Sequence, residues 1–471
     1  MKHIFKLLIA SVLLISFAGC DDFLSFDPSG ALGEDAAFTR AKDIENALNG
    51  AYYTLGTYRL YGRDVVALGD IAADNAWMTG SSGHFDQIYK YTVNTDSGDL
   101  LDIWSYGYYL LDRCTRLIKA GNEMLATDIS DKDKTSIKKS IAQAYALKAL
   151  SHFTLVNIFG LPYSEANKGS LGVVIIDEEV VPAFSDVSRS TVEQVYAQIL
   201  KEISLARQNI QLTDKKDVFH FNEVSLFALE ARVKLYMKDY AGAISAAKDA
   251  IAKREGALVM NADSYVNMWF DIVATSEDIF TIGKTVDSNL SSNSLNTLYG
   301  SYNGKATSGL INIFEKKDMR LGLFGDGTGE QIRALKFDGL SSSRATSNIP
   351  VFRLPEMYLI IAESKAQLGE SDAVDYVYEI AKRNPDLDKS EIPTGKDALL
   401  RFISIERRRE LFQEGHRWYD LRRTGEIMTR EGGNFVISNW DASKFVYPIP
   451  AKEVNASGLQ QNDGWNNALP K

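Results

Sequence analysis

The stretch at residues 222–253, NEVSLFALEARVKLYMKDYAGAISAAKDAIAK, carries the clearest internal pattern of the chain. Its small and aromatic residues have the spacing of a tetratricopeptide unit, with Ala231 in a first helix, Tyr240 opening a second, and Ala243 and Ala250 along it. Small side chains at these positions let two antiparallel helices approach closely. The pattern therefore predicts a helical hairpin.

Looser copies of this pattern lie on both sides of it. They are Glu356–Arg383, Asp43–Leu55 joined to Leu101–Ile118, and Ile141–Phe159 joined to Thr191–Ala206, the last two interrupted by insertions. Four units exceed the minimum of about three that a stacked helical array needs to bury a continuous core. We predict a mainly α protein with four tetratricopeptide-like helix pairs, within residues 34–254 and 352–425. For the interrupted pairs, a chance match of alanine-rich helices stays open.

The amino-acid composition of the chain changes after the helix pair at residues 222–253. Residues 257–348 are rich in Ser, Asn, Gly and Tyr, yet keep apolar anchors such as Phe280. We predict an irregular lobe, about residues 256–350, that packs on the helices within one domain, residues 31–471. Residues 426–471 are predicted to form an extended segment that wraps back over the helices. The long connections at 69–99 and 160–190 are expected to carry function, as long ordered loops often do.

The first residues have the form of an export signal. Two lysines precede an apolar run, residues 7–17, that ends in small residues before Cys20. A run of about 11 residues is too short for a bilayer core that needs about 20, so we predict a cleaved signal peptide at 1–19. The sequence Phe-Ala-Gly-Cys resembles the lipobox of bacterial lipoproteins, which implies lipidation of Cys20 and a tether at 20–30. Ordinary secretion is the alternative.

The composition disfavours several classes of partner. The formal net charge is −10, and loss of Lys2 and Lys6 with the signal peptide makes it −12. Such an acidic chain is a poor ligand for nucleic acid or for anionic lipid surfaces. With Cys20 lipidated, Cys114 has no cysteine partner, and we predict that it is a small buried hydrophobe.

The sequence lacks the motifs of the common catalytic and metal centres. It contains no HExxH, no paired CxxC and no GxSxG, and the histidines outside the signal peptide are scattered. The 62 acidic residues leave room for the carboxylate pair of a glycan-degrading enzyme, which stays open as an alternative. We predict a binding protein without catalytic residues, cofactor or metal.

The most charged stretch runs from Ser404 to Gly425. Interpreted as one amphipathic helix, it has an apolar stripe in which residues recur every seven positions, from Ile405 to Tyr419. Glu414 then lies one helical turn from Arg417 and is expected to pair with it. We predict a packed helix crossed by ion pairs.

This stretch also resembles the C-terminal signature of the SusD/RagB family, at Glu406–Leu411 and Glu414–Arg423. Further blocks resemble that family in the same order: Ala47–Tyr52, Asn157–Pro162, Pro355–Glu363, Tyr447–Pro450 and Gln460–Trp465. Together the blocks span nearly the whole chain after the signal peptide.

The resemblance implies a fold, a place and a role. Members of the family are outer-membrane lipoproteins of Bacteroidetes, built on four tetratricopeptide-like helix pairs in a right-handed superhelix with an irregular ligand-binding lobe. They partner a SusC-like TonB-dependent barrel. By this resemblance the chain is expected to capture a complex nutrient at the cell surface, commonly an oligosaccharide or polysaccharide, and to deliver it to the barrel. A peptide or glycopeptide cargo stays open, as does a helical scaffold that binds only protein.

The chemistry of sugars narrows the candidate site. A sugar ring stacks its apolar face on an aromatic ring, while its hydroxyls need amide, carboxylate or guanidinium partners. Aromatic side chains beside polar loop residues are therefore the candidates. They are Trp77 with Asp74, Asn75 and Met78 in the first long connection, and Trp269, Tyr299 and Tyr302 in the lobe. The alternative is that each ring belongs to the core.

Overall fold

Helices form most of the structure. The computed structural model describes residues 37–182, 185–325 and 332–465. The helices are α1 (Ala41–Leu55), α2 (Asp64–Ile71), α3 (Asp86–Lys90), α4 (Gly98–Leu125), α5 (Asp131–Phe159), α6 (Val192–Arg207), α7 (Glu223–Tyr236), α8 (Tyr240–Arg254), α9 (Ala262–Asn267), α10 (Leu295–Tyr299), α11 (Ser308–Ile311), α12 (Leu354–Leu368), α13 (Ala373–Ala381), α14 (Lys396–Leu411), α15 (Arg417–Thr424) and α16 (Ala451–Ser457).

The long helices pack in four pairs. Helix α1 packs on α4, α5 on α6, α7 on α8, and α12 on α13. In the α7–α8 pair, Ala231, Ala243 and Ala250 are fully buried, as their small size predicts. The side chain of Asn222 caps α7 by accepting the N–H groups of Val224 and Ser225. The prediction of a mainly α fold with tetratricopeptide-like pairs is confirmed.

Eight short strands lie among the described residues. They are β1 (Ala76–Met78), β2 (Asp278–Ile282), β3 (Gly304–Ala306), β4 (Phe324–Gly325), β5 (Arg333–Ala334), β6 (Ile349–Arg353), β7 (Ile427–Arg430) and β8 (Ile437–Asp441). They pair as antiparallel ribbons: β1 with β3, β2 with β6, β4 with β5, and β7 with β8. The β1–β3 ribbon connects the segment after α2 to the lobe, and β6 leads directly into α12.

The charged stretch at 404–425 is two helices with a break between them. Between α14 and α15, Gln413 and Gly415 have φ angles of 62° and 82°. These positive angles lie outside the right-handed helical region, so the helix ends before them. The break allows α2 to pack against the backbone: a Cβ on Gly415 would lie 2.9 Å from Cα of Val66. The single-helix prediction is therefore wrong. Glu414 does not pair with Arg417, because it lies within the break, where it contacts Lys336 and Arg353 instead.

Asp70 of α2 fixes the geometry of this break. Its carboxylate accepts the backbone N–H groups of Gln413 and Gly415, both at 2.9 Å, and the side-chain amide of Asn75 at 2.8 Å. Burial raises the pKa of Asp70 to about 6, and the three donors oppose that rise. A carboxylate thus replaces the helical hydrogen bonds that the break removes.

Glu410, near the end of α14, is the centre of a buried ion-pair network. Its carboxylate contacts Arg353 at 3.0 Å, Arg320 at 3.3 Å, and Arg383. Burial by itself raises the pKa of Glu410, but the three arginines outweigh burial and hold the pKa well below its usual range. Arg320 belongs to the lobe, Arg353 ends β6, and Arg383 follows α13, so one carboxylate connects three parts of the fold.

The last described segment crosses the helices. Tyr447 is fully buried and Trp465 is 7% exposed. The side-chain amide of Asn462 donates to the carbonyl of Phe159 at 2.9 Å and to that of Tyr447 at 2.7 Å. Cys114 is fully buried, as predicted.

Two predictions from the sequence concern the membrane. In the described ranges, no helix combines the length and the apolar composition that crossing a bilayer requires. The predicted signal peptide, Cys20 and the tether lie outside the described residues.

Substitution of Glu410 by glutamine is expected to lower the free energy of unfolding by about 3–5 kcal/mol, because it leaves three buried arginines short of negative charge. Urea denaturation at pH 7 measures this loss. Since the folded-state pKa of Glu410 is lowered, its contribution is complete above the unfolded pKa, about 4.3, and the difference between parent and variant shrinks as the pH falls below that value.

The matched control is Asp249→Asn, at an exposed position of α8. It is expected to change the stability by less than about 0.5 kcal/mol. Equal stability of Glu410→Gln and the control would contradict a central role for the network.

Candidate functional site

The two segments chosen from the sequence as ligand loops meet in the structure. Strands β1 and β3 pair with Trp77 opposite Lys305. Beyond the ribbon, the hydroxyl of Ser82 donates to the carbonyl of Tyr302 at 3.3 Å, and the amide of Asn303 donates to Ser81 at 3.2 Å. The first long connection and the lobe therefore form one unit at this point.

Asp74 and Asn75, however, are buried and bound by protein groups. The carboxylate of Asp74 contacts Arg417 at 2.8 Å and Arg408 at 3.3 Å, and Asn75 accepts from Arg408 at 2.7 Å. Burial by itself raises the pKa of Asp74, but Arg408 and Arg417 outweigh it and lower the pKa below its usual range. The prediction that these two side chains face a ligand is wrong. They fix the ribbon to α14 and α15.

Trp77 is not an exposed platform either. Its side chain is 6% exposed, and that of the neighbouring Met78 is 1% exposed. A Cβ on Gly433 would lie 2.9 Å from Trp77, so the segment between β7 and β8 covers the indole directly. The glycine- and serine-rich sequence after Trp77 is exposed, but the ring itself packs inward.

Two of the lobe aromatics are also core residues. Trp269 is 3% and Tyr299 is 2% exposed. Trp269 meets the ring of Phe337 edge-on at 5.7 Å, and the ammonium of Lys336 lies 4.4 Å from its centroid. These contacts leave no face of Trp269 or Tyr299 for a sugar.

Tyr302 is the predicted aromatic that reaches the surface. Its half-buried ring stacks on His84, with centroids 4.4 Å apart and planes 11° from parallel. Burial and the charge of Arg63 both lower the pKa of His84, so the imidazole is neutral at pH 7. We call this pair the Tyr302 plate.

A larger site lies nearby, between the helical scaffold and the lobe. Its walls are the end of α1, the first half of α4 and the lobe segment 283–290, and its volume is about 1040 Å³. We call it the tyrosine groove, because five tyrosines line it: Tyr52, Tyr53, Tyr58, Tyr106 and Tyr109. Its volume is at the upper end of the range usual for ligand sites.

Three of the five tyrosine rings, those of Tyr58, Tyr106 and Tyr109, stack against arginines. The guanidinium of Arg59 lies 4.3 Å from the ring centroid of Tyr58 and 4.7 Å from that of Tyr106. Arg113 lies 4.3 Å from the ring of Tyr109. Such stacking orients the rings without burying them.

Two of these rings are open to solvent. Tyr53 is 77% and Tyr109 is 48% exposed. Amide and hydroxyl side chains complete the lining: Asn49, Asn289, Asn348, Thr285 and Ser288. The groove therefore offers apolar ring faces beside hydrogen-bonding groups, which is the chemistry that a sugar chain requires.

Arg63 connects the tyrosine groove with the Tyr302 plate. Its guanidinium lies 4.8 Å from the ring of Tyr58, in the groove, and 5.8 Å from the ring of Phe85, the neighbour of His84. It also donates to Asn293 in the lobe at 3.2 Å. Arg63 is itself 3% exposed, so it joins the groove and the plate through buried contacts.

Sequence patterns do not distinguish the groove residues, although they predict the helices that carry them. Tyr53 and Tyr109 follow helical spacing and resemble ordinary core positions. One feature of the sequence could have identified the groove: Tyr109 and Arg113 are one helical turn apart, a spacing that allows the guanidinium to stack on the ring at the helix surface.

Within the described residues, no group of three or more His, Cys, Asp and Glu side chains is arranged to hold a metal ion.

Two family models match the chain. The model of the SusD family matches residues 330–465, and the model described as "Starch-binding associating with outer membrane" matches residues 22–235. Among curated relatives, SusD-like protein P2 of Formosa agariphila is 24% identical in an alignment 518 positions long, which covers 96% of this chain and 98% of the relative.

Solved structures show the same similarity in three dimensions. A SusD superfamily protein from Bacteroides vulgatus is 29% identical, with a TM-score of 0.82 and coverage of 91% of this chain and 100% of that one. Another, from Bacteroides thetaiotaomicron, is 25% identical, with a TM-score of 0.82 and coverage of 90% and 100%. Family models at both ends of the chain and superposition over its length agree, and the chain belongs to the SusD/RagB family.

Proposed function

We propose that the protein is a non-catalytic receptor at the cell surface that binds an oligosaccharide or polysaccharide and delivers it to a SusC-like TonB-dependent barrel. The observation that carries this proposal is the tyrosine groove, with two exposed rings beside an amide-rich rim. Sugar rings stack on tyrosine faces, and their hydroxyls bind amides, so this lining suits a glycan chain.

The location and partner are supported by the family and the N-terminal sequence. One matching family model is described as associating with the outer membrane. The residues before Cys20 resemble a lipobox, so Cys20 carries the lipid anchor in this proposal. The two acidic residues after it, Asp21 and Asp22, resemble the signal that sends such lipoproteins to the outer face of the membrane. A lipid-anchored receptor of this family is placed to act with a barrel in the same membrane.

The absence of catalysis is supported by the charges in the groove. Glycan hydrolysis uses two carboxyl groups, about 5–5.5 Å apart in retaining enzymes and about 6.5–9.5 Å apart in inverting ones. Among the described residues that line the groove, Asp287 is the single carboxylate. A lone carboxylate can hydrogen-bond a hydroxyl but does not supply the second carboxyl group, the nucleophile or the base, that such hydrolysis uses.

Replacement of Tyr53 and Tyr109 together by alanine is expected to weaken oligosaccharide binding about tenfold. Each stacked ring contributes about 0.5–1.5 kcal/mol beyond its buried area, and about 1.4 kcal/mol corresponds to a factor of ten. Isothermal titration calorimetry of the mature protein, with an oligosaccharide that the parent binds, measures the change.

Two controls accompany this pair. The double phenylalanine variant keeps both rings and is expected to retain most of the affinity. Leu212→Ala removes a side chain that is 39% exposed elsewhere on the surface and is expected to have no effect. Undiminished binding by the double alanine variant would mean that the glycan binds elsewhere on the protein. Release of shorter sugars by the parent protein would favour the alternative of a glycan-degrading enzyme.

Tyr302→Ala tests whether the ligand extends to the Tyr302 plate. Because the plate is not part of the groove lining, the variant is expected to weaken long oligosaccharides several-fold and to leave short ones unchanged. Tyr302→Phe keeps the stack on His84 and is the control. Equal loss for short and long ligands would mean that the plate belongs to the same subsite as the groove.

Cys20→Ala is expected to abolish labelling of the protein by radioactive palmitate and to release it from the membrane fraction. The reason is that this cysteine is proposed to carry the lipid. Cys114→Ala, which alters the buried cysteine, is expected to keep both the label and the membrane association. Persistence of the label in Cys20→Ala would refute the anchor.

A further inference from the structure

The charges of the tyrosine groove differ from those of the protein as a whole. The chain carries a formal charge of −10. Among the described residues that line the groove, Arg59, Arg113 and Lys284 face the single carboxylate of Asp287. Arg59 is compensated by Asp102, whose carboxylate lies 3.1 Å from it. Two cations remain to be accounted for.

Arg113 hydrogen-bonds neutral groups. Its Nη1 donates to the carbonyl of Gly50 at 3.0 Å and to the hydroxyl of Thr54 at 2.9 Å, while Nη2 donates to the hydroxyl of Tyr109 at 3.1 Å. No carboxylate within the described ranges forms an ion pair with it. A guanidinium has five donors, so donors remain for an incoming anion at the exposed ring of Tyr109.

Lys284 is more deeply placed and is also without a counter-ion among the described residues. It is 8% exposed, and its ammonium donates to the carbonyl of Gly56 at 2.7 Å. Burial lowers its pKa to about 8, so it stays mainly protonated at pH 7. A buried cation without a carboxylate is uncommon, because burial of an uncompensated charge is costly.

The end of α1 compensates these charges only in part. Gly50, Thr54 and Gly56 all lie in or next to its last two turns, where the helix dipole presents about half a negative charge. Half a charge and the single carboxylate of Asp287 do not fully neutralise two cations. A purely structural role as a cap of α1 would leave the remaining positive charge in the groove without a function.

We propose that the tyrosine groove selects acidic oligosaccharides, whose carboxylate or sulfate groups bind Arg113 and Lys284 while the sugar rings stack on Tyr53 and Tyr109. This proposal rests on the function proposed above and names its class of ligand. A carboxylate and a sulfate both present several acceptor oxygens to a guanidinium, so the chemistry is shared by uronate-containing and sulfated sugars.

The experiment uses a panel of matched oligosaccharides and the mature protein. Each uronate oligosaccharide is paired with its neutral methyl ester, and each sulfated one with its desulfated form. Binding is measured by calorimetry at low and moderate salt. We expect the acidic member of a bound pair to bind about tenfold more tightly than its neutral partner, with an advantage that shrinks as salt increases.

Variants locate the effect. Arg113→Gln with Lys284→Gln is expected to remove that tenfold advantage, so that the acidic and neutral members of a pair bind the variant with equal affinity. Arg113→Lys keeps the charge and is expected to retain part of the advantage. Thermal unfolding of each variant confirms that the fold is intact, and if Lys284→Gln does not fold, Arg113→Gln by itself tests the same difference.

The outcomes separate the two proposals. Preference for uronate or for sulfate pairs identifies the acidic group and supports the inference. Equal binding of acidic and neutral members, or equal losses for both in the glutamine variants, would overturn selection of acidic sugars while leaving glycan binding intact. Absence of binding to every member of the panel, by parent and variants alike, would count against the proposed function itself.

Discussion

Burial of Glu410 among three arginines is the constraint on which the arrangement of the lobe and the helices depends. Each arginine comes from a different part of the chain, and removal of any one group would leave buried charge unpaired. Arg353 also binds Glu414 and Glu277, and Lys336 binds Glu414 at 2.8 Å. The network therefore fixes the lobe on the scaffold at the point where the chain breaks between α14 and α15.

The same break determines what the first long connection can do. Asp70 binds the backbone of the break, and the residues that follow, Asp74 and Asn75, bind Arg417 and Arg408 on its two sides. The polar residues that precede β1 are thereby used for structure. Tyr302, which stacks on His84 beyond the ribbon, is the predicted aromatic side chain that reaches the surface.

The helix pairs could be predicted from the sequence because their cause is local. Small residues at helical spacing, as at Ala231 and Ala243, need a neighbouring helix whatever the rest of the chain does. The burial of Trp77 could not be predicted in this way, since Gly433, which covers it, is far away in sequence. Likewise, helical spacing does not separate a tyrosine on the solvent side of a packed helix from one in the core. Tyr53 and Tyr109 became recognisable only when α1, α4 and the lobe came together.

The place of the groove explains its charge. It lies where the carbonyl end of α1 meets α4 and the lobe, and carbonyl ends of helices attract cations. Arg113 and Lys284 can occupy that position without carboxylates because carbonyl and hydroxyl oxygens satisfy their hydrogen bonds. The fold thus accommodates positive charge beside exposed aromatic rings on an otherwise acidic protein. Long-range repulsion from that acidic surface opposes the approach of any anion, so the acidic glycan that we propose would gain affinity here only through close contact with these two cations.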